Sequence, residues 1–319
     1  MDSISLQSIS INMQNTLLQI NNVSKFYKDK VALKDVSINV PKGSIYGLLG
    51  PNGAGKTSLI RIINQITEAD EGNIMLNGEI LNQSHIRNIG YLPEERGLYK
   101  KIKVIRQLEY FAKLRGLNSK EATEKAGKWL QTMGLYDIRN KKVEELSKGM
   151  QQKIQFIVAV IHSPELLILD EPFSGFDPVN AELLTDIILD LKAKGTTILY
   201  STHRMESVEK LCDAMALIHL SKKILDGTVA DIKNKFKSDY FEVVLNGQYS
   251  PEISAIQVVE QAASDTGHNR LLLKLNGIKN NDCIADIAKQ SEIIHFSQKI
   301  PSINDIFIQL VTQTPSNNA

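Results

Sequence analysis

The chain has 319 residues, enough for about two domains that each bury a core of their own. An apolar fraction of 42% beside 23% charged residues is that of globular protein and excludes a wholly disordered or collagen-like chain. Lys plus Arg number 37 and Asp plus Glu 36, a formal charge of +1, so an anionic partner has to be met by a local patch rather than by the field of the whole molecule. Cys212 and Cys283, far apart in sequence, supply neither a disulfide framework nor a CxxC metal pair, which fits a reducing compartment. The longest nearly unbroken apolar stretch, Phe156 to Ile161, falls far short of the roughly 20 residues needed to cross a bilayer. No Lys or Arg precedes Lys25, so the basic start of a secretory signal is missing, and residues 1–16 read as a polar tail.

In chain order, Ser44 to Gly50 reads as a buried strand ending in glycine, followed by a helix over Lys56–Gln65. Asn77-Gly78 reads as a turn, and Trp129 falls in a helical stretch as a packing residue. Leu166–Leu169 and Thr196–Tyr200 are short apolar runs of the kind that become central strands covered on both faces. Between them, Leu183, Leu184, Ile187, Ile188 and Leu191 fall at helical spacing within Ala181–Lys194. Strand, helix, strand in this order indicates an α/β domain with a parallel core. The pattern changes around Asn234–Ser238. Beyond it, Tyr240–Leu245, Arg270–Leu275 and Glu292–Phe296 read as strands, Asn246-Gly247 as a turn, and Asp282–Gln290 and Ile303–Val311 as helices, the last capped by Ser302. The expected division is an α/β domain over 17–237 and a small α+β domain over 238–319.

Gly50-Pro51-Asn52-Gly53-Ala54-Gly55-Lys56-Thr57 fits G-x-x-x-x-G-K-[ST] and sits between a predicted strand and a predicted helix, where the chemistry requires it. The glycines let successive N–H groups turn inward around phosphate oxygens. Lys56 supplies charge for the β and γ phosphates, the helix start at Thr57 and Ser58 adds a favourable dipole, and the Thr57 hydroxyl is a Mg²⁺ ligand. Nucleoside triphosphate binding is the expectation. The apolar run Leu166–Leu169 ends in Asp170-Glu171, and adjacent acids are tolerated there because ligands bind at the carboxyl ends of parallel strands. Asp170 then holds Mg²⁺, directly or through water, and Glu171 is the general base for the water that attacks the γ phosphate.

Over roughly residues 17 to 230, these motifs and their order resemble the nucleotide-binding subunit of ABC (ATP-binding cassette) transporters. Leu146-Ser147-Lys148-Gly149-Met150 resembles the family signature, Ser174-Gly-Phe-Asp177 its D-loop, and Ser201-Thr-His203 its switch histidine. The resemblance implies a P-loop NTPase of ABC type: a mixed sheet core with an antiparallel β subdomain and a helical subdomain, here followed by the small C-terminal α+β domain. It further implies an ATPase that uses ATP and Mg²⁺, forms a homodimer around two nucleotides, and drives a separate transmembrane permease from the inner face of the cell membrane, with no nucleic-acid partner. By the same resemblance Tyr27 stacks on adenine, His203 orients the attacking water, Asp177 couples the two sites, and Ser147, Lys148 and Gly149 cap the ATP of the opposite subunit. The signature departs from Leu-Ser-Gly-Gly-Gln at Lys148 and Met150. Glu94, in Gly90-Tyr-Leu-Pro-Glu-Glu95, stands where the family usually has a glutamine that reaches Mg²⁺ and senses the partner. The wording of that loop and the appended domain are similar to exporter ATPases that include those of sodium-extrusion systems. Lys100, Lys101, Lys103 and Arg106 read as a solvated face, or as a seat for a permease helix or anionic headgroups. A soluble ABC ATPase acting on a non-membrane target is the alternative function.

Overall fold

In the computed structural model, which describes residues 15–28, 30–95, 97–263 and 268–313, the chain divides after Val229 into two units. The expected tail lies outside the described residues up to residue 14. The first unit runs through β1 (Thr16–Tyr27), β2 (Lys30–Pro41), β3 (Ile45–Leu49), α1 (Lys56–Ile63), β4 (Glu71–Leu76), β5 (Glu79–Ile80) and β6 (Ile89–Leu92). Three helices follow: α2 (Val104–Leu114), α3 (Ser119–Thr132) and α4 (Lys148–Val160). The unit continues with β7 (Leu166–Asp170), α5 (Pro178–Ala193), β8 (Thr197–Thr202), α6 (Met205–Leu211), β9 (Ala214–His219) and β10 (Lys222–Thr228).

The central sheet has the order β10-β9-β3-β8-β7-β6, parallel except for β10. Every residue of β3, β7 and β8 is buried, and the apolar runs Ile45–Leu49, Leu166–Leu169 and Ile198–Tyr200 within them are legible without alternation. A second sheet, β2-β1-β4-β5, is antiparallel, and bulges shift the register of β1 on β2 at several points, so its alternation is broken in the sequence. α1 ends at Ile63, two residues before the expected stop, and Gln65 takes a left-handed φ of 54°. α5 starts at Pro178 rather than Ala181, because Asp177 caps it and proline fits the first helical position. Trp129 packs edge-on against Phe156, joining α3 to α4.

α7 (Val229–Lys235) begins at the boundary, and the second unit contains β11 (Tyr240–Asn246), β12 (Ile256–Ala263), β13 (Asn269–Leu275), α8 (Asn280–Ala288), β14 (Glu292–Gln298) and α9 (Ile303–Gln313). Its strands form one antiparallel sheet, β12-β13-β11-β14. Alternate residues Phe241, Val243, Leu245, Leu271, Leu273 and Leu275 pack with Cys283 and Ile287 of α8 into a separate core. Tyr249 donates its hydroxyl to the buried Asp286 carboxylate at 2.7 Å. Sequence periodicity does not give β12, where a bulge between Val258 and Glu260 breaks the two-residue alternation. Ser302 caps α9 as expected: its Oγ accepts from the Asp305 N–H at 3.1 Å, and Asp305 accepts from the Ser302 N–H at 3.0 Å.

Candidate functional site

The phosphate loop leaves the C-terminal end of β3 and enters α1. Two of its glycines have no room for a side chain: a Cβ on Gly50 would lie 2.2 Å from the Ile218 carbonyl oxygen, and one on Gly55 would lie 2.3 Å from that of Ala32. Gly50 and Gly55 also take φ of 150° and 116°, in the region glycine favours. The Lys56 ammonium is 7% exposed as a residue and donates to the Gly50 and Pro51 carbonyls at 2.6 and 3.2 Å. Burial pushes its pKa down, against the opposing pull of Glu171, Asp170 and Glu94.

Around this loop lies a cavity of about 390 Å³. Asn52 to Ser58 form one wall, and Asp170, Glu171 and Glu94 reach it from the ends of β7 and β6. Tyr27 lines its mouth and is 41% exposed, whereas Phe26 does not line it. The Tyr27 ring carries the Lys25 ammonium 5.5 Å from its centre, and Lys25 is itself anchored on Asp70 at 2.9 Å. The cavity thus gathers Tyr27, the phosphate loop, Glu94, Asp170 and Glu171, five features separated by up to 144 residues of sequence, from Tyr27 to Glu171.

Asp170 and Glu171 differ sharply. Asp170 is 3% exposed, and its carboxyl is pushed above the ordinary range by burial first, then by Glu94 and Glu171. A buried carboxylate with two acidic neighbours is costly unless a cation joins it. With the Thr57 hydroxyl and Glu94, Asp170 presents hard oxygen donors, the set that suits Mg²⁺. Glu171 takes a left-handed φ of 50°, uncommon for a non-glycine residue and a mark of functional sites. Its amide donates to the Ser201 carbonyl at 3.0 Å, while its carboxylate accepts from the Thr202 hydroxyl at 3.1 Å and the His203 amide at 2.8 Å. His203 Nδ1 stands 2.6 Å from the same carboxylate. Asp170 pairs with Ser201 in the parallel register of β7 and β8, so these two strand ends hold Glu171 and His203 side by side.

The signature residues lie elsewhere. Ser147 is the N-cap of α4 and accepts from the Met150 amide at 3.3 Å; Ser147 and Lys148 are exposed, Gly149 is half-buried, and none lines the cavity. Asp177 caps α5, accepting from the Asn180 amide at 2.9 Å and side chain at 2.6 Å, bonds that hold its carboxyl below the usual range. Lys100, Lys101, Lys103 and Arg106 are all exposed, and Arg106 pairs with Glu109 at 3.1 Å.

Sequence reasoning does not identify Thr202 and Gln155. Thr202 stands inside the motif that carries His203, and its hydroxyl buttresses Glu171. Gln155 is the one polar residue in the run Ile154–Ile161, a signal that could have exposed it. Beyond the Glu94 loop a second cavity of about 360 Å³, mostly apolar, is lined by Ile66, Ile86, Tyr91, Pro93, Phe111 and Arg115, among others.

An ABC transporter family model matches residues 33–174, and a model of the C-terminal domain of DrrA1-3-like ATP-binding proteins matches residues 227–311. The uncharacterized ABC transporter ATP-binding protein YhaQ of Bacillus subtilis is 41% identical over 303 residues, covering 92% of this chain and 98% of the relative. The linearmycin resistance ATP-binding protein LnrL of the same organism is 30% identical over 308 residues, covering 93% and 99%. A solved ATP binding subunit of an ABC transporter superposes with a TM-score of 0.65 at 33% identity, covering 69% of this chain and 93% of that one. The chain therefore belongs to the ABC transporter ATP-binding proteins, P-loop ATPases that bind ATP and hydrolyse it to drive transport.

Proposed function

We propose that the chain powers an exporter: two copies close head to tail around two ATP·Mg²⁺, and the cycle of closing and reopening moves a separate transmembrane permease. One observation carries the reading. A single cavity unites Lys56 and Thr57 of the phosphate loop with Asp170, Glu171 and Glu94, while the α4 N-terminus, with Ser147 and Lys148 exposed and Gly149 half-buried, stays outside it. Backbone amides from Asn52 to Ser58 cradle the phosphates, and Lys56 moves from the Gly50 and Pro51 carbonyls onto the β and γ oxygens. Thr57, Asp170 and Glu94 would hold Mg²⁺, which neutralises charge on the β and γ phosphates when bound.

Tyr27 stacks on the adenine. Glu171 takes the proton of the attacking water on its carboxylate, which Thr202 and His203 hold in place, and His203 orients that water toward the γ phosphorus. The α4 N-terminus caps the γ phosphate bound by the opposite subunit, with Lys148 adding charge, and Asp177 links the two sites. Among the described residues no helix is long and apolar enough to cross a membrane. The apolar cavity beside Glu94 suits a cytoplasmic helix of that permease, which would hold the chain on the inner face of the membrane. Export is supported by LnrL, a relative across nearly the whole length that is named for resistance to linearmycin.

The test is Glu171→Gln in the purified chain. Turnover should fall by at least about 100-fold, and light scattering should show a dimer formed by ATP and Mg²⁺ that persists instead of decaying. Parental turnover, or a monomer at saturating ATP, would defeat the reading.

A further inference from the structure

We infer that Gln155 is a positioning residue that sets Glu94 and so ties the apolar groove to the nucleotide cavity; the inference rests on the reading of Glu94 above. Gln155 lies in the second half of α4 and is 6% exposed. A buried amide is costly unless its hydrogen bonds are made, and this one spends them on a single loop. Its Nε2 donates to the Pro93 carbonyl at 3.3 Å and to the Glu95 carbonyl at 2.9 Å, the residues on either side of Glu94. Both flanks of Glu94 are thereby fastened to α4.

The backbone is shaped for this contact. A Cβ on Gly90 would lie 2.2 Å from the Ala159 carbonyl oxygen, so glycine alone lets β6 approach α4 closely enough for the amide to span the gap. Pro93 and Gln155 line the groove of about 360 Å³ on one side. On the other side the same two residues line the narrow cleft that holds Glu94, Asp170 and Glu171. One helical turn earlier, Gln152 donates to the Ser174 carbonyl in the loop that leads to Asp177. α4 therefore starts at the anion site facing the other subunit and along one side grips two loops of its own subunit.

A double-mutant cycle on the full chain tests this. Gln155→Met keeps length and volume without a donor, and Gln155→His restores an N–H. Gln155→Met should lower kcat about fivefold, leave KM for ATP within about twofold, and raise the Mg²⁺ needed for half-maximal turnover about threefold, with most of the loss recovered by Gln155→His. Without nucleotide or metal, trypsin should cut at Lys100 and Lys101 at least about twofold faster in Gln155→Met, because the Glu95 end of the loop has lost its clamp. On a Glu94→Ala background, Gln155→Met should add nothing further to the loss of kcat. Parental kcat and Mg²⁺ dependence in Gln155→Met, full additivity with Glu94→Ala, or no recovery in Gln155→His would overturn the proposal. Parental kinetics in Glu94→Ala would overturn the Glu94 reading and this proposal with it, whereas a slow Glu94→Ala beside a parental Gln155→Met overturns the Gln155 role alone. Should Gln155→Met not fold, Gln155→Glu, which keeps the shape but loses the donor when ionised, enters the same cycle.

Discussion

Tyr27 shows how little a single side chain needs to contribute to be measurable. It lines the mouth of the nucleotide cavity, and stacking of an aromatic ring on another is worth about 1 kcal/mol. Tyr27→Ala should weaken ATP binding about fivefold in equilibrium titration with little effect on the rate of the bound complex, and Phe26→Ala should leave the affinity unchanged. The residues legible in the sequence are those whose chemistry is tied to local spacing: the glycines and Lys56 of the loop, and the acids that end β7. Thr202 and Gln155 were not legible, because their partners lie 31 and about 60 residues away and only the fold brings them together.

Among elements, the same physics separates what could be read from what could not. β3, β7 and β8 are buried on both faces and announce themselves as apolar runs, whereas β1, β2 and β12 carry bulges that erase the alternation. The end of α4 carries a pH-dependent contribution that sequence alone hides. His162, just past that helix, is pushed down to about 4 by burial first and by the nearby Arg115 guanidinium next. Arg115 in turn is fixed by donating to the Ile86 carbonyl. Because the folded value lies below the unfolded one, the unfolded chain binds the proton more tightly. The contribution is therefore complete above the ordinary value of 6.5 and is lost as pH falls toward about 4. The loss is at most about 1.4 kcal/mol per pH unit. Urea unfolding at pH 7 and pH 5 should show a smaller difference in His162→Leu than in the parent; an equal difference would contradict the assignment.

For the whole molecule, a length sufficient for about two domains is divided into two units with separate cores. The second is built on Phe241, Val243, Leu271, Leu273, Cys283 and Ile287, with Tyr249 donating to Asp286 within it. A fragment of residues 230–319 should therefore fold alone and melt cooperatively, and the full chain should unfold in two transitions by calorimetry. A fragment with no cooperative transition would show that this core is insufficient. Near-neutral net charge proves uninformative about phosphate binding, because Lys56 and the loop amides act within one cavity.

The pairing of Asp170 with Ser201 reaches beyond geometry. The Glu171 amide is held by the Ser201 carbonyl and the His203 amide by the Glu171 carboxylate, so both bonds depend on the alignment of the two strand ends. Any fluctuation that parts β7 from β8 then removes the base and its histidine partner in the same event. The ATPase centre is therefore as durable as the sheet that carries it, because its base and its histidine partner are seated on two fully buried inner strands.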